Sequence, residues 1–525
     1  MTRHAGVILP LFSAASSASW GLGELRDLDP LSVWLAAGGF DRLMILPLGT
    51  MSPAETSPYS AASAMALDPI YIALGGLEDY ERAGGDAALS SGAAQALDTV
   101  RTSPHVAYSL IRRVKAEALD LAFVAFVRDE WQAQTARAAS LAAYIARERW
   151  WLDDYALFQA LAGAVGTAAW RQWPDPIRDR NARALDEVRR QLARDVLRHQ
   201  YLQWIAETEW HAARAVARRR GLTVVGDVPF AVAVDSADVW ARPGEFMLDV
   251  SAGVPPDAFS EEGQDWGLPT YRWDVIAASD FAWIRQRARR MAALYDSVRV
   301  DHLVGYFRTY GRLPDGRAFF IPPDEPSQIR QGDQILRIFL ETGTEVLAED
   351  LGTVPDFVRA SMADLGVPGC KVLRWERDYH SGHQGFIDPS AYPPVSVALT
   401  GTHDTETLAA WWDGASEDER RAFLSVPSLG AGSRDPRAPW SDDVRDLVLD
   451  ALYRSGSNHL FFPLQDVFGW RDRVNTPSTV NEINWTWKLP WPVETLGATP
   501  VAAERAEFCR RLAQASGRAL AHSAG

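Results

Sequence analysis

Lysine and cysteine are scarce in this chain of 525 residues. The sequence has three lysines, Lys115, Lys371 and Lys488, and two cysteines, Cys370 and Cys509. Two cysteines are too few for a disulfide framework or a cysteine-bound zinc site, so we expect a protein of the reducing cytoplasm. A Schiff-base enzyme would use a lysine such as Lys371. Lys371, however, begins an apolar run instead of ending it. Residues that begin the strands of a barrel lie at the end opposite the active site.

Long apolar segments are also missing. No stretch approaches the ~20 apolar residues that span a bilayer. The amino terminus, MTRHAGVILPLF, has only a brief apolar run without a small-residue cleavage site after it. The net charge of −15 and the pI near 5.2 disfavour nucleic acid and anionic membranes as partners. Composition therefore predicts a soluble, unexported protein that acts on a neutral or cationic substrate.

Short apolar runs of strand length are abundant instead. Most are continuously apolar, which is typical of parallel strands buried on both faces, and helical patterns lie between several of them. Eight runs occupy residues 6–12, 42–48, 222–229, 297–302, 344–350, 371–376, 395–404 and 460–466. Eight alternations of strand and helix predict an α/β protein built as a (β/α)8 barrel.

Uneven spacing of these runs predicts two insertions into a single catalytic barrel spanning residues 1–525. Residues 55–220 separate the second run from the third and are largely helical in pattern, which predicts a mostly helical insertion subdomain. Residues 235–274 follow the third run and are dense in glycine, proline and aromatic residues, which predicts a loop-like insertion at the active site. Several of the 21 tryptophans lie in such polar segments, where flat apolar faces can stack on sugar rings.

Acidic residues end four of the predicted strands. They are Asp227, Asp301, the neighbours Glu349 and Asp350, and Asp404. Active sites of such barrels form at the carboxyl ends of the strands, so these acids should converge. Carboxylates that repel one another indicate either a metal ion or acid–base chemistry on a neutral substrate. An enolase-like metal enzyme would need a lysine or histidine base at the strand ends, and the shortage of lysine disfavours it.

The fourth and fifth runs predict two carboxylates with different roles. Arg299 and Asp301 share a face because side chains alternate along a strand. The arginine should keep the aspartate ionised, as a carboxylate nucleophile requires; an ion pair that only stabilises the barrel is the alternative. Glu349 and Asp350 lie on opposite faces, and alternation does not say which points inward as a protonated general acid and which caps the following helix. One ionised and one protonated carboxylate are typical of a retaining glycosidase or transglycosidase.

Eight longer segments carry a more specific signal. They are residues 56–71 (TSPYSAASAMALDPIY), 225–249 (VGDVPFAVAVDSADVWARPGEFMLD), 253–274 (GVPPDAFSEEGQDWGLPTYRWD), 298–305 (VRVDHLVG), 346–352 (VLAEDLG), 368–373 (PGCKVL), 400–404 (TGTHD) and 473–485 (RVNTPSTVNEINW). In content and order they resemble the 4-α-glucanotransferase family, also called amylomaltase or disproportionating enzyme. The resemblance runs over nearly the whole chain.

The resemblance implies an enzyme that transfers α-1,4-glucan segments between maltooligosaccharide, starch or glycogen chains. The reaction would be a retaining double displacement with Asp301 as nucleophile, Glu349 as general acid and base, and Asp404 binding sugar hydroxyls beside the reacting carbon. Further sugar contacts implied are Tyr59, Asp227, Arg299, His403 and Asn475. Neither a metal nor another cofactor is implied, and the calcium common in the related α-amylases is not expected. An α-1,4-glucan hydrolase on the same barrel is the alternative.

The segment 253–274 bears on the choice between transfer and hydrolysis. A transferase must hold a second sugar and exclude water from the covalent intermediate. The residues offered for stacking or hydrogen bonding are Phe259, Trp266, Tyr271, Trp273 and Gln264. This set favours transfer, although Tyr271 and Trp273 could equally pack on the barrel.

The chain departs from the family pattern at four positions. Ala258 stands where tyrosine is common, Thr405 and Glu406 follow Asp404 where Asn and Asp are usual, and Ser478 replaces a frequent glycine. None of these changes removes a catalytic carboxylate, which disfavours a glucan-binding scaffold without activity. Glu406 should serve the start of the next helix, where a negative charge suits the helix dipole. A monomer and a homodimer are both compatible with the sequence.

Overall fold

The computed structural model of the protein describes residues 2–52, 55–256, 262–378, 385–430, 432, 434–477, 479 and 481–518. The strands in this part of the chain are β1 (His4–Ile8), β2 (Arg42–Met44), β3 (Thr223–Val228), β4 (Phe246–Val254), β5 (Gln264–Tyr271), β6 (Ser297–Val300), β7 (Thr309–Arg312), β8 (Ala318–Ile321), β9 (Glu345–Ala348), β10 (Gly369–Val372), β11 (Ser396–Leu399) and β12 (His459–Pro463). None of the helices in these ranges is long and apolar enough to cross a membrane.

The α-helices alternate with the strands and fill the long gap between β2 and β3. They are α1 (Leu28–Ala37), α2 (Glu78–Arg82), α3 (Ser91–Thr102), α4 (Tyr108–Phe126), α5 (Ala136–Val165), α6 (Asp175–Arg178), α7 (Ala182–Gln191), α8 (Ala193–Arg219), α9 (Ala237–Ala241), α10 (Trp273–Ala278), α11 (Ala282–Leu294), α12 (Leu303–Phe307), α13 (Glu325–Leu340), α14 (Asp356–Asp364), α15 (Leu408–Gly414), α16 (Glu417–Leu424), α17 (Asp442–Tyr453), α18 (Leu464–Phe468) and α19 (Pro500–Ala515). Several short 3-10 turns connect these elements.

A closed barrel of eight parallel strands forms the core, in the order β1-β12-β11-β10-β9-β6-β3-β2. The predicted (β/α)8 barrel is confirmed, and each of the eight apolar runs overlaps one barrel strand. The strands are shorter than the runs because the chain turns away from the sheet near the polar residues that end them. Those polar ends are therefore free to form a site at the carboxyl end of the barrel.

The middle of the barrel interior is lined by apolar side chains, except at β6. An inner cluster receives apolar side chains from the other strands, among them Val225, Leu347 and Phe461. At the matching position β6 carries Arg299, while its neighbours Val298 and Val300 pack in the larger cluster outside the barrel. A charged side chain among apolar ones is stable only with partners of opposite charge.

The segment between β2 and β3 is mostly helical, in line with its sequence pattern. The long helices α5 and α8 pack together through buried polar contacts, such as the hydrogen bond from the hydroxyl of Tyr144 to Glu207. Helix α8 is tied to the barrel layer by Trp210, whose indole Nε1 donates to the main-chain oxygen of Leu294 on α11 at 2.7 Å. The helical segment is thus joined to the barrel wall by buried contacts.

Residues 235–274 contain two long strands where the sequence indicated a loop. Strands β4 and β5 pair with each other and, through β4, with β7 and β8, giving an antiparallel sheet in the order β5-β4-β7-β8. The glycines and prolines hid this pairing because they interrupt the alternation expected of strands. Gly253 is required there, since a Cβ atom would lie 2.0 Å from the main-chain oxygen of Gln264. The sheet joins the connection after β3 to the connection after β6.

The first and last barrel strands close the structure. Strand β1 pairs in parallel with β12, so that His4 lies opposite His459. The buried guanidinium of Arg518 donates to the main-chain oxygens of His4, Tyr453 and Ser457 at 2.7–2.9 Å. This arginine therefore fastens the seam between the two strands from outside.

Candidate active site

Arg299 is the centre of a carboxylate cluster at the carboxyl end of the barrel. It is only 6% exposed, and its guanidinium contacts Asp227, Asp301 at 3.1 Å and Glu349 at 3.0 Å. Strand register produces this arrangement, because Asp227 on β3 lies opposite Arg299 on β6 and Glu349 follows β9 on the other side. Three of the acids predicted to converge, Asp227, Asp301 and Glu349, are found here around one cation.

A strained residue orients Glu349. The main-chain N–H of His302 donates to Oε2 of Glu349 at 2.9 Å. His302 has a left-handed backbone with φ of +47°, which is uncommon for a residue other than glycine and points its N–H at the carboxylate. The main-chain oxygen of Glu349 accepts a further hydrogen bond from Leu303 at 3.1 Å. The carboxylate is thus held by both a side chain and a backbone donor.

Protonation of the pair differs from our expectation in the substrate-free protein. Burial and the nearby carboxylates of Glu349 and Asp227 raise the pKa of Asp301 well above its usual range, against the opposing effect of Arg299. Burial opposes ionisation of Glu349 as well, but Arg299 and the N–H of His302 outweigh it and lower the pKa of Glu349. Burial beside two carboxylates therefore favours a protonated Asp301, whereas the N–H of His302 helps to keep Glu349 ionised, the reverse of the sequence prediction.

Asp404 lies on the turn after β11 and remains 43% exposed. Nδ2 of Asn475 donates to its Oδ1 at 2.6 Å, and Nε2 of His403 lies 3.2 Å from its Oδ2. The surrounding protein disfavours the charged form, but His403 and Asn475 stabilise it and lower the pKa of Asp404 to about 2. This carboxylate is ionised at neutral pH and accessible to a ligand.

An aromatic wall joins these two groups of residues. The hydroxyl of Tyr59 donates to Asp227 at 2.7 Å, and its ring stacks on His403 with centroids 5.3 Å apart and 14° between the planes. The ring of Trp485 lies 5.8 Å from both the Tyr59 and the His403 rings. Tyr59 thus connects the Arg299 cluster to the turn that carries Asp404.

Trp266 and Gln264 lie on the other side of the Arg299 cluster. The indole of Trp266 meets the ring of His302 edge to face at 4.8 Å, and its Nε1 donates to Gln264 at 3.1 Å. Both residues belong to β5 and are partly exposed. The predicted contact Phe259 lies outside the described residues, as do Ala258 and Ser478.

Tyr271 and Trp273 are buried and do not offer stacking faces to a ligand. The hydroxyl of Tyr271 donates to the main-chain oxygen of Phe230 at 2.5 Å, and the indole of Trp273 donates to Thr309 at 2.8 Å. Their sugar-binding interpretation is therefore wrong, and the alternative of packing on the barrel is correct.

Asp350 does not point into the Arg299 cluster. Its Oδ1 accepts a hydrogen bond from the main-chain N–H of Cys370 at 2.6 Å, and burial raises its pKa to about 6. It does not cap the next helix, α14, whose first flanking residue is Pro355. Of the two neighbouring acids, Glu349 contacts the cluster and Asp350 joins β9 to β10.

The positions and contacts of Lys371 and Glu406 also differ from those predicted. Lys371 is the third of the four residues of β10, not the first, and its amine lies 3.1 Å from Glu376. Glu406 precedes α15, but Thr407 caps that helix, and the Glu406 carboxylate lies 3.6 Å from Arg374 and 3.9 Å from Arg473. Glu406 therefore faces cations on two other loops.

Sequence reasoning missed three residues of this region. His302 directly follows Asp301, and its unusual backbone has no sequence signature. Arg473 and Trp485 begin and end the segment 473–485, where only Asn475 was singled out. The guanidinium of Arg473 donates to the main-chain oxygen of Asp404 at 2.8 Å.

The acids of the cluster are arranged around Arg299 instead of an open cation position. Among the described ranges, no group of three or more His, Cys, Asp or Glu side chains is placed to hold a metal ion. One ionised carboxylate at the cleft, a proton-sharing carboxylate pair and an aromatic wall can together bind a neutral hydroxyl-rich ligand and move a proton.

Known proteins with this sequence pattern and fold support one family. A sequence model described as 4-alpha-glucanotransferase matches residues 9–494. The 4-alpha-glucanotransferase of Thermus thermophilus is 35% identical over 492 residues, covering 90% of this chain and 92% of that protein. That of Chlamydia pneumoniae is 28% identical over 508 residues, covering 94% and 92%.

Comparison of the three-dimensional structure with solved structures supports the same family. The structure of amylomaltase from Streptococcus agalactiae in complex with acarbose superposes with a TM-score of 0.81 at 26% identity, covering 98% of this chain and all of that one. The family predicted from the motifs is confirmed: this chain belongs to the 4-α-glucanotransferase family.

Proposed function

We propose that this protein transfers α-1,4-glucan segments between maltooligosaccharides, or between starch or glycogen chains, by a retaining double displacement. The observation that carries the proposal is the contact of Arg299 with Asp301 and Glu349 beside the ionised Asp404. Two carboxylates that share a cation suit a reaction in which one attacks carbon while the other moves a proton.

In the first half of the reaction, a carboxylate oxygen of Asp301 attacks the anomeric carbon of the donor chain. The bond from that carbon to the glycosidic oxygen breaks as Glu349 gives its proton to this oxygen, and the leaving chain departs with a free hydroxyl. Productive binding must leave Asp301 ionised and Glu349 protonated. Both contact Arg299, so a proton that moves from Asp301 to Glu349 leaves the total charge around the arginine unchanged.

In the second half, the ionised Glu349 removes the proton of an acceptor hydroxyl. The acceptor oxygen bonds to the anomeric carbon, and the bond to Asp301 breaks, which regenerates the free carboxylate. Asp404 would bind hydroxyls of the same sugar, and Asn475 and His403 keep it charged for that task. Tyr59, Asp227 and Arg299 complete the pocket around this ring.

Transfer instead of hydrolysis depends on how the acceptor displaces water. Trp266 and Gln264 lie beside His302, next to the nucleophile, where a second sugar would be held. A flat indole with an amide hydrogen-bonded to it can stack on one sugar ring and bind its hydroxyls. We place Phe259 in the same acceptor site from its position in the sequence.

The products formed from maltotriose test this proposal. The purified protein should convert maltotriose into glucose and a ladder of longer maltooligosaccharides without added metal. Glucose and maltose without longer products would assign an α-1,4-glucan hydrolase. The variant D301N should lose turnover because it lacks the attacking carboxylate, and E349Q should lose it because it cannot protonate the leaving oxygen. Activity near that of the wild type in either variant would contradict the assigned roles.

The proposal also covers the domain organisation, the cellular location and the partners of the enzyme. Residues 55–220 and 235–274 would act as insertions of one catalytic unit, 1–525, whose helical and sheet parts border the cleft. Both cysteines are buried and unpaired, which supports a reducing cytoplasm as the place of action. The proposed partners are neutral glucans. The proposal includes neither a metal nor another cofactor.

A further inference from the structure

A buried carboxylate holds both ends of the turn that carries His403 and Asp404. Asp466, on α18, is 1% exposed. Its Oδ2 accepts a hydrogen bond from Oγ1 of Thr400 at 2.6 Å, and its Oδ1 accepts one from the main-chain N–H of Leu408 at 2.7 Å. Thr400 directly follows β11 and Leu408 begins α15, so one side chain spans the turn from its first residue to its last.

A buried cation lies against the same turn. Arg374, just beyond β10, is 2% exposed, and its Nη2 donates to the main-chain oxygen of Glu406 at 2.5 Å. A Cβ atom on Gly401 would lie 2.9 Å from that Nη2, so the backbone of the turn rests on the guanidinium. Among the described residues, Nε and Nη1 of Arg374 have no hydrogen-bond acceptor, and Nη1 lies 3.6 Å from the Glu406 carboxylate. Burial lowers the pKa of Arg374, and attraction to Asp466 and Glu406 opposes that effect.

We propose that Asp466 and Arg374 are positioning residues for the glucan transfer reaction, which fix the turn so that His403 and Asp404 meet the reacting sugar. The inference rests on the proposed function. Neither residue reaches the substrate: Asp466 acts through Thr400 and Leu408, and Arg374 through the main chain of the turn. The pair links three strand ends, because α18 follows β12, Arg374 follows β10 and the turn follows β11.

The expected signature is a loss of rate with little loss of binding. Hydrogen bonds to hydroxyls beside the reacting carbon strengthen in the transition state of glycoside cleavage, so a displaced Asp404 lowers kcat more than it raises KM. A displacement of about 1 Å in catalytic groups can cost about 100-fold in rate. The remaining sugar contacts, made by Tyr59 and the Arg299 cluster, are on other strands and should keep KM nearly constant.

Three variants test the carboxylate, measured on maltotriose well below the melting temperature of each. D466A should lower kcat about 10- to 100-fold and change KM less than threefold. D466N should lose less, because an asparagine can accept from the N–H of Leu408 and donate to Oγ1 of Thr400. T400V removes only the hydroxyl and should lower kcat about threefold or more. A wild-type kcat in D466A overturns the proposal, and if D466A does not fold, a wild-type kcat in T400V overturns it.

A matched control comes from the opposite end of the barrel. The carboxylate of Asp296, whose side chain is 6% exposed, also accepts hydrogen bonds from a main-chain N–H, that of Val224 at 2.7 Å, and from an arginine, Arg214 at 2.9 Å. D296A should lower the melting temperature but keep kcat of the folded enzyme within twofold. If D296A lowers kcat as much as D466A, the effect is general destabilisation and the proposal fails.

A double variant tests the role of Arg374. R374Q removes the cation beside Asp466, and D466N removes one of the two anions that attract Arg374, the other being Glu406, whereas R374Q/D466N removes both charges of the pair. We expect the kcat of the double variant to exceed the product of the two single effects at least threefold. Strictly multiplicative effects would refute the coupling of the two charges, and a wild-type kcat in R374Q would remove Arg374 from the proposal. The wild type distinguishes failure of the two claims. If it forms no maltooligosaccharide ladder, the proposed function is refuted. If it forms a normal ladder and the variants D466A and T400V are unaffected, this inference alone is refuted.

Discussion

Replacement of Arg299 by glutamine should move the pH dependence of the enzyme toward alkaline pH. The guanidinium opposes the rise in the pKa of Asp301 and is the main cause of the lowered pKa of Glu349. Without it, both carboxyl groups hold protons more tightly. The reaction needs one proton on the pair, so activity rises with pH as the first of its two protons leaves, and Glu349, whose pKa is lowered, gives up that proton most readily. The acidic limb of the pH profile must therefore shift upward in R299Q.

The size of the shift follows from the contacts of Arg299. A hydrogen bond to a charged partner contributes about 1.5–3 kcal/mol, and one pKa unit corresponds to about 1.4 kcal/mol. Loss of the contact to Glu349 should thus raise the acidic limb by about one to two pH units. The variant R299K keeps the charge, but one ammonium group cannot reach all three carboxylates, so its shift should be smaller.

Initial rates of glucose release from maltotriose, measured from about pH 4.5 to 9, provide the assay, and kcat/KM is fitted at each pH. The matched control is R214Q, since Arg214 is a similarly buried arginine that pairs with Asp296 at the opposite end of the barrel. R214Q should change stability without moving the profile. An unchanged or more acidic limb in R299Q would refute the claim that Arg299 sets the protonation of this pair.

Three further outcomes are expected. Between pH 4.5 and 7.5 wild-type stability should fall by about 2 kcal/mol more than that of D350N, because burial lifts the pKa of Asp350 from 3.8 to about 6; an equal change in the free energies of unfolding of the two proteins, measured with urea, would contradict this. N475A should lower kcat/KM about tenfold, since Asp404 loses a 2.6 Å donor; a wild-type value would contradict the role of that bond. W266A should raise the ratio of hydrolysis to transfer at least threefold by admitting water; a constant ratio from product counting would exclude Trp266 from acceptor binding.

The barrel was predictable because its strands are buried on both faces. Each strand then has to be apolar without alternation, and eight such runs stand out from the helical segments between them. The sheet of β4, β5, β7 and β8 was not predictable in this way. Its strands pair across two different barrel connections. Glycines such as Gly253 lie where two backbones approach closely, so they interrupt the alternating pattern of a strand.

The site was predictable in its residues but not in its electrostatics. Alternation along β6 placed Arg299 and Asp301 together, whereas the choice between Glu349 and Asp350 needed the register of β9 against its neighbours. Protonation depends on burial and on several charges at once, so an arginine next to an aspartate does not by itself keep the aspartate ionised. Asp466 was visible only as the last residue of an apolar run, and its bonds join residues distant in sequence.

The pairing of β1 with β12 has a consequence for biosynthesis. At about 5–20 residues per second, the ribosome needs roughly 20–90 s between the end of β1 and the end of β12. During that time β1 has β2 on one side but an unpaired backbone edge on the other. The barrel can close only after translation has passed β12, and Arg518, which fastens the seam, emerges later still. A nascent chain of this protein must therefore be kept from edge-to-edge association until β12 and Arg518 have left the ribosome.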